Sequence, residues 1–296
     1  MKILIFGGNR FIGKELVKKE IEYGHDITVA NRTGLPDELS NFCKSIICDR
    51  CDKESMEFKI GKQYFDIVYD MICYSGKNAI EIMDSISTNK YIMISSGVVY
   101  GWGRNFKESD FIAEKYPAEL ADINELGRKY GYKQGYRIGK MSAESLISNC
   151  DRFETLRIRF PLVIGKNDHT KRIESYIDAI SNQKPLFVDN LYSQVSVVEK
   201  KNAAEYLVNI QNDPKISNVI NVGDWGSITI KELVNLIEQI YGKELIYSEN
   251  GTRGGYNCFY DNVLNLNILK DSGVHIVNCK EYIYTLIEEI ARGEDR

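Results

Sequence analysis

The first half of the sequence alternates short apolar runs with amphipathic stretches, and this alternation limits the fold more than any other feature. Five apolar runs span residues 3–6, 27–30, 45–48, 66–72 and 91–94. Stretches with helical spacing separate them, such as residues 14–23 and 79–86. Buried strands that alternate with amphipathic helices are typical of βαβ units around a parallel sheet. The sequence therefore predicts an α/β fold with a doubly wound parallel sheet.

The second half continues this pattern with shorter segments. Further strands are predicted at residues 154–160, 194–198 and 219–222, and further helices at 203–210 and 230–241. The segment from residue 101 to residue 135 breaks the rhythm, because it is too long for an ordinary connection. Two interpretations of it stay open: a solvated surface insertion of two short helices, or a lid over a site.

Composition and charge exclude several classes of protein. Hydrophobic residues make up 43% of the 296 residues and charged residues 27%, which excludes a disordered chain. The net charge of −4 makes a nucleic-acid partner unfavourable, and no apolar run approaches the roughly 18 residues that a membrane span needs. The apolar N-terminus continues into glycines rather than into a cleavage site, so we expect a strand there and a cytoplasmic protein.

The seven cysteines form no disulfide ladder, and Cys48 and Cys51 form a lone CxxC pair. A zinc site of this type would need a second pair. A redox CxxC usually opens a helix, whereas this pair follows a strand-like run. Two ordinary reduced thiols are the favoured interpretation, and we assign no metal site.

A glycine-rich loop joins the first predicted strand to the first predicted helix. In dinucleotide-binding proteins this position holds the pyrophosphate, because glycines let it approach the backbone and the helix N-terminus offers free N–H groups. The strict GxGxxG spacing is absent, so the inference depends on the position of the loop. A tight turn without a ligand is the alternative. The candidate cofactor-binding residues of the loop are Gly7, Asn9, Arg10, Phe11, Ile12 and Gly13.

The end of the second strand bears on the choice between the two nicotinamide dinucleotides. NAD sites usually carry an Asp or Glu here, which holds the ribose hydroxyls. This chain has Asn31 followed by Arg32, and a neutral residue beside a cation suits a 2′-phosphate, which an acid would repel. Arg10 would add a second positive charge. We therefore favour NADP over NAD as the cofactor; a surface arginine beside a turn-forming asparagine is the alternative.

Tyr136 and Lys140 form the one Tyr-x-x-x-Lys motif in the chain, although the chain has 19 tyrosines. On a helix this spacing places the phenol and the ammonium group on one face, one turn apart. A nearby ammonium group favours tyrosinate, so the phenol would exchange a proton with an alcohol or a carbonyl as hydride moves. Ser96 ends the fifth predicted strand, at the edge where open α/β sheets bind ligands, and would hydrogen-bond the substrate oxygen.

These motifs occur in a fixed order: the loop Gly-Gly-Asn-Arg-Phe-Ile-Gly, then Ser-Ser-x-x-x-Tyr-Gly, then the Tyr-Lys motif. In this order they resemble the extended short-chain dehydrogenase/reductases, the NAD-dependent epimerase/dehydratase family, which acts mainly on nucleotide sugars. The form of the loop is similar to an atypical branch that includes chloroplast stem-loop binding proteins. The resemblance covers most of the chain. It implies a Rossmann-type sheet with a smaller C-terminal substrate-binding subdomain.

The implied organisation interleaves two parts of the chain. Residues 1–164 with about 194–223 would form the NAD(P)-binding domain. Residues from about 165 to 193 with 224–296 would form the substrate-binding subdomain. The family often forms homodimers through the helices after the fourth and fifth strands, which implies pairing through residues 79–86 and 136–148.

The resemblance also implies a role for each candidate catalytic residue. Tyr136 would be the general acid/base, and Ser96 would orient the substrate. Lys140 would hold the nicotinamide ribose and lower the pKa of the tyrosine. These three residues therefore form the predicted catalytic set.

Further cofactor contacts follow from the same resemblance. Asp49 would contact adenine, in a turn where Cys48 replaces the glycine of the family pattern. Met71 and Ile72, at the end of the fourth predicted strand, would line the adenosine side.

Two departures from the family pattern limit the implied reaction. Gly97 and Val98 stand where 4,6-dehydratases of the family carry an Asp-Glu pair, which argues against such a dehydratase. Leu162 stands where sugar epimerases often have an asparagine that contacts the sugar nucleotide. This second departure weighs against the standard binding mode.

The sequence therefore predicts an NAD(P)-dependent oxidoreductase or epimerase that acts on a sugar-like hydroxyl or ketone, with a nucleotide sugar as the expected substrate. The NADP preference favours a keto-reductase over an epimerase. The alternative is a dinucleotide-binding regulatory or RNA-associated protein of the same fold. The basic stretch of His169, Lys171 and Arg172 is expected to be a solvated loop rather than a site for a substrate phosphate.

Overall fold

The computed structural model describes residues 1–61, 63–256 and 260–293. In chain order the strands are β1 (Lys2–Phe6), β2 (Asp26–Asn31), β3 (Lys44–Ile47), β4 (Tyr64–Asp70), β5 (Ser87–Ser96), β6 (Gly103–Phe106), β7 (Glu154–Phe160), β8 (Leu162–Ile164), β9 (Leu186–Phe187), β10 (Gln194–Val195), β11 (Val197–Glu199), β12 (Val219–Asn221), β13 (Ile228–Thr229), β14 (Thr252–Arg253) and β15 (Asn262–Leu264). The α-helices are α1 (Phe11–Glu22), α2 (Asp37–Ser40), α3 (Lys53–Lys59), α4 (Gly76–Ser85), α5 (Ile123–Tyr130), α6 (Tyr132–Ser148), α7 (Arg172–Ser181), α8 (Lys200–Ile210), α9 (Ile230–Tyr241), α10 (Asn267–Ser272) and α11 (Cys279–Arg292).

Seven strands form one sheet in the order β12-β7-β5-β4-β1-β2-β3, and all their pairings are parallel. This sheet confirms the predicted doubly wound α/β fold. The strand order reverses between β1 and β4, whose last residues, Phe6 and Asp70, lie side by side. In open parallel sheets, ligands bind beyond the carboxyl ends of the strands at such a reversal. The fold therefore places a binding crevice beyond Phe6 and Asp70.

The central strands are buried on both faces, which explains their nearly continuous apolar runs. Along β1, Ile3 and Ile5 face one apolar cluster with α1 and α8. Leu4 and Phe6 face a second cluster with α3, α4 and α6. Each such side chain stabilises the fold by about 1.5–3 kcal/mol, because its apolar surface is removed from water. Helices on both faces therefore hold the sheet and its crevice in place.

A separate apolar cluster lies later in the chain and includes residues of α7, α9 and α11. Three smaller sheets pair β13-β10-β15-β6, β11-β8 and β14-β9. The division of the chain into two interleaved domains stays a prediction. None of the helices in the described part of the chain combines the length and the apolar character that crossing a membrane requires.

The structure differs from the predicted strands in two places. The single strand predicted at residues 194–198 is split into β10 and β11, which belong to different sheets. The split lies at Ser196, whose N–H donates to the carbonyl of Asn262 and whose carbonyl accepts from the N–H of Leu162. β4 ends at Asp70, so the two residues that follow lie in a turn rather than in the strand.

The segment of residues 101–135 contains β6, two single-turn 3₁₀ helices and α5, rather than two short helices. β6 pairs with β15. α5 packs against α6, where the Leu126 backbone approaches Gly135 closely. The segment is therefore attached to the rest of the molecule at both ends.

Candidate active site

The glycine loop lies between β1 and α1, at the reversal of the strand order. A Cβ atom on Gly13 would lie 2.2 Å from the carbonyl oxygen of Gly7, so only glycine lets the first turn of α1 pack on the loop. The N-cap residue, Arg10, makes no side-chain capping hydrogen bond to this turn. The first N–H groups of α1 therefore suit an anion such as a pyrophosphate.

The other loop residues lie around the same turn. Phe11 has a φ of 47°, a left-handed conformation that is rare outside glycine and that clusters at ligand sites. The side-chain amide of Asn9 donates to the hydroxyl of Thr33 (3.1 Å) and so ties the loop to the end of β2. Arg10 is exposed, and Ile12 is partly buried against the apolar cluster of α1. The loop therefore lies close to the predicted ribose site.

Asn31 is both a turn former and a candidate ligand residue. Its Oδ1 accepts from the N–H groups of Thr33 (2.8 Å) and Gly34 (2.6 Å), which fixes the orientation of the side chain. Its Nδ2 is buried and has no hydrogen-bond partner among the described residues. A buried unsatisfied donor costs about 1–3 kcal/mol, and a ribose or phosphate oxygen would satisfy it. Arg32, beside it, is exposed.

The turn after β3 brings Asp49 to the surface, where its carboxylate accepts from the N–H of Cys51 (2.9 Å). Arg50 was not among the predicted site residues. It is buried, forms an ion pair with Asp70 (2.7 Å) and donates to the carbonyl of Asn78 (3.0 Å). Arg50 therefore anchors the predicted adenine turn to the end of β4. An arginine in a predicted turn gives no sequence signal for such burial.

Met71 and Ile72 pack against the glycine loop. A Cβ atom on Gly7 would lie 2.9 Å from Cγ2 of Ile72 and 3.3 Å from Cβ of Met71. The carboxylate of Asp70 accepts from the N–H of Ile72 (3.0 Å) and from the hydroxyl of Tyr91 (2.8 Å). The turn after β4 therefore forms one wall of the crevice.

Tyr136 and Lys140 lie one turn apart on α6, as their spacing predicts, and Ser96 ends β5. Lys140 is 2% exposed. Its Nζ donates to the carbonyl oxygens of Cys73 (2.8 Å) and Ile94 (2.7 Å), and it lies 5.9 Å from the centre of the Tyr136 ring. The ammonium group is therefore held between the turn after β4 and the end of β5.

The electrostatics of Tyr136 differ from the predicted arrangement. Burial raises the pKa of Tyr136 to about 12, and the charge of Arg172 and the hydroxyl of Ser96 act in the opposite direction. The resemblance implies that Lys140 lowers the pKa of Tyr136. In the structure, the ammonium group of Lys140 donates to two carbonyl oxygens, and burial lowers the pKa of Lys140 itself. The sequence predicts Arg172 in a solvated loop. Arg172 instead begins α7 close enough to act on Tyr136.

Tyr74 is a further aromatic residue at the site, and no sequence pattern pointed to it. Its ring centre lies 4.8 Å from Nζ of Lys140 and 6.3 Å from the ring centre of Tyr136. The side chain is 37% exposed. Tyr74 therefore makes a cation–π contact with the lysine and lies near Tyr136.

A network of buried charges supports the end of β5. Arg159 and Glu144 are fully buried and form an ion pair (2.7 Å). The hydroxyl of Ser95 donates to Glu144, and Arg159 donates to the hydroxyl of Tyr100 (2.7 Å). The network therefore holds Ser95, which precedes Ser96, and Tyr100, which lies four residues after it.

Comparisons with known proteins test the predicted fold and the predicted resemblance to the epimerases. No family model matches the sequence. The chloroplast stem-loop binding protein of 41 kDa b from Arabidopsis thaliana is 24% identical over 234 residues, which make up 74% of this chain and 57% of that protein. The chain therefore spans little more than half the length of this curated relative.

Solved structures match the whole chain. UDP-glucose 4-epimerase of Thermus thermophilus, in complex with NAD, has a TM-score of 0.74 at 17% identity, and the match covers 100% of both chains. UDP-glucuronic acid 4-epimerase of Bacillus cereus, in complex with UDP-glucuronic acid and NAD, has a TM-score of 0.72 at 16% identity over 99% of both chains. The predicted resemblance to the epimerases is therefore confirmed in its fold, and the chain has the Rossmann-type fold of these two proteins.

Proposed function

We propose that the protein is an NAD(P)-dependent enzyme of the short-chain dehydrogenase type, which moves hydride to or from a sugar-like carbinol carbon. One observation carries the proposal: Tyr136, Lys140 and Ser96 lie together at the carboxyl edge of the sheet. Lys140 binds the carbonyl of Cys73, in the turn that packs against the glycine loop. The similar epimerases solved with UDP-sugars or NAD support a nucleotide sugar as the substrate.

The crevice fits a dinucleotide in two respects. The first turn of α1 offers N–H groups to a pyrophosphate, and Asn31 offers a buried donor to the adenosine ribose. Asp49, Met71 and Ile72 would line the adenosine side, and Lys140 would hold the nicotinamide ribose. When bound, the dinucleotide supplies or accepts the hydride.

NADP is the cofactor that we favour within this proposal. The Oδ1 atom of Asn31 is used by two backbone N–H groups, so only the Nδ2 donor remains for a ligand. A donor suits phosphate oxygens, whereas the carboxylate of an NAD site accepts from ribose hydroxyls. The exposed guanidinium groups of Arg10 and Arg32 suit a 2′-phosphate. NAD is the alternative, and the relatives solved with NAD favour it.

The state of Tyr136 supports reduction as the favoured direction. Burial raises its pKa to about 12 and so strengthens the preference for the protonated phenol, which is the form that donates a proton in reduction. As hydride adds to the carbonyl carbon, the Tyr136 hydroxyl gives its proton to the carbonyl oxygen, and solvent then reprotonates the tyrosinate. Ser96 would hydrogen-bond the same oxygen. An epimerase begins by removing a proton, so we favour a keto-reductase.

The test uses purified protein, a panel of nucleotide keto-sugars, and NADPH or NADH, with hydride transfer followed by nicotinamide absorbance. We expect turnover with NADPH and a loss of kcat of about a hundredfold or more in Tyr136→Phe. Mass spectrometry of the co-purified nucleotide separates the two reactions: tightly held NAD indicates an epimerase, and exchangeable NADPH a reductase. Full turnover by Tyr136→Phe contradicts the proposal.

A dinucleotide-binding regulatory or RNA-associated protein of the same fold is the second candidate. The similarity to a stem-loop binding protein favours it. Such a protein would use the glycine loop without needing Tyr136, Lys140 and Ser96 together. RNA binding that weakens steeply with salt, combined with a lack of hydride transfer, would support this candidate over the enzyme.

Three further expectations belong to the same proposal. We propose a homodimer that pairs in the region of residues 79–86 and 136–148, although none of residues 136–148 is exposed in the single chain. We propose two interleaved domains, with the nucleotide in the first and the sugar against the second.

We also propose a cytoplasmic location. The six cysteines within the described residues are free thiols, in keeping with a reducing compartment.

A further inference from the structure

One face of α6 carries small residues at helical spacing, namely Gly135, Gly139 and Ser142. The segment of residues 113–130, which we call the brace, packs along this face. The brace ends in α5, whose Leu126 is fully buried. It continues directly into α6 through a single residue, Gly131.

The brace approaches the backbone of α6 closely. A Cβ atom on Gly135 would lie 2.7 Å from the carbonyl oxygen of Leu126. A Cβ atom on Gly139 would lie 3.3 Å from Cδ1 of Leu126 and 2.3 Å from the carbonyl oxygen of Tyr74. The N–H of Glu119 donates to the hydroxyl of Ser142 (3.0 Å). Because packed interiors have few voids, α6 has no room to shift toward the brace.

The residues that touch the brace alternate with the candidate catalytic residues. Gly135 precedes Tyr136, and Gly139 precedes Lys140. One face of these two turns of α6 therefore packs on the brace, and the adjacent face of the same turns carries the phenol and the ammonium group. The position of Tyr136 relative to Ser96 consequently depends on how closely α6 approaches the brace.

The brace is itself anchored. Both terminal nitrogens of Arg157, a residue that is 1% exposed, bind the carboxylate of Glu114 (3.1 Å). The hydroxyl of Ser145 donates to the carbonyl oxygen of Tyr116 (2.7 Å). These bonds give the brace the character of a rigid support rather than that of a lid.

We propose that the brace is a positioning element of the active site and that Leu126 is its positioning residue. The contact of Leu126 with α6 fixes the position of this helix and thereby the position of the Tyr136 hydroxyl. This inference rests on the proposed function, because it takes Tyr136 as the proton donor. A misplacement of about 1 Å at a catalytic group can cost about a hundredfold in rate. A loosened contact should therefore lower kcat, whereas dinucleotide binding at the glycine loop should be retained.

The decisive variant is Leu126→Ala, which opens the contact without creating a clash. We expect kcat to fall about tenfold or more, with KM and the dinucleotide Kd unchanged. Leu126→Met fills the same space and is expected to retain most of the wild-type kcat. Gly127→Ala is the matched control in the same helix, because a Cβ atom there would meet no described atom within 4 Å. We expect wild-type kinetics from it.

Hydrogen exchange gives a second readout that does not require activity. Leu126→Ala should speed the exchange of amides in residues 135–140, and Gly127→Ala should not. A folded Leu126→Ala protein with wild-type kcat overturns the inference, and so does an equal loss of kcat in Gly127→Ala. If Leu126→Ala does not fold, Leu126→Val takes its place with the same expectations. A wild-type protein without hydride transfer refutes the proposed function instead, and unchanged exchange in the Leu126 variant then overturns the inference about the brace.

Discussion

The guanidinium group of Arg159 and the carboxylate of Glu144 form a fully buried ion pair, 2.7 Å apart. The same guanidinium group donates to the carbonyl oxygens of Glu108 (2.9 Å) and Phe111 (3.0 Å). One arginine therefore neutralises a buried acid and holds the chain that follows β5. A buried charge is tolerated only with partners of this kind.

Removal of Glu144 would leave Arg159 as an unpaired buried charge. We expect Glu144→Ala to lower the free energy of unfolding by about 3–5 kcal/mol, measured by urea denaturation. Glu154→Ala is the control, since Glu154 is 80% exposed and lies 3.9 Å from Lys90. An exposed pair of this kind contributes at most about 1 kcal/mol. A loss in Glu144→Ala no larger than in the control would contradict the assignment.

Asn31→Asp tests the cofactor preference with little change in shape. The carboxylate still accepts from the N–H groups of Thr33 and Gly34, but an oxygen replaces the buried donor. We expect the Kd for NADPH to rise about tenfold or more, because the carboxylate repels the 2′-phosphate. The Kd for NADH should stay the same or fall. Calorimetric titration with both dinucleotides measures the two constants.

The control for this experiment is Lys44→Ala, which removes a positive charge at the start of β3, where Lys44 pairs with Asp26 (2.8 Å). We expect its affinity for NADPH to match that of the wild type. An unchanged NADPH affinity in Asn31→Asp, or an equal loss in Lys44→Ala, would refute the preference for NADP.

The sheet could be predicted because its signal is local. A strand buried on both faces must be apolar at consecutive positions, and β1 shows this from Ile3 to Phe6. The split at Ser196 could not be predicted in the same way. The strand is split because the N–H of Ser196 bonds Asn262 of one sheet, whereas its carbonyl oxygen bonds Leu162 of another. Neither partner is near Ser196 in the sequence.

The same distinction applies to the candidate site. Helix geometry places Tyr136 and Lys140 on one face of α6, so their spacing was a sufficient signal. The bonds from Lys140 to Cys73 and Ile94 join residues 67 and 46 positions apart. Such contacts depend on how the sheet and α6 pack together, which no local pattern encodes.

Removal of the charge of Arg172 is expected to raise the pKa of Tyr136 further, because this charge opposes the effect of burial. In the oxidative direction tyrosinate is the active form, so a higher pKa lowers the rate at every pH below it. We expect Arg172→Gln to move the pH profile of kcat/KM for oxidation to higher pH. The rate at a fixed pH should fall about tenfold for each pH unit of movement. Arg172→Lys keeps the charge and should keep the profile, whereas an unchanged profile in Arg172→Gln would disprove the coupling.

Glu20 of α1 is a fully buried acid at a distance from the candidate site. Its carboxylate lies 2.5 Å from Nδ1 of His25, and Tyr69 and Gln211 also face it. Burial raises the pKa of Glu20 above its ordinary value. The folded state therefore favours the protonated acid more than the unfolded state does.

The contribution of Glu20 to stability is consequently full below the unfolded pKa of about 4.3 and is lost as the pH rises through the higher pKa of the folded state. Glu20→Gln cannot ionise at this position, so its stability relative to the wild type should increase between pH 4 and pH 6. Urea denaturation at both pH values measures the difference. Glu22→Gln is the control for replacing an acid by an amide at an exposed position of the same helix, since Glu22 is 61% exposed. A difference for Glu20→Gln that is the same at both pH values would show that Glu20 does not ionise in this range.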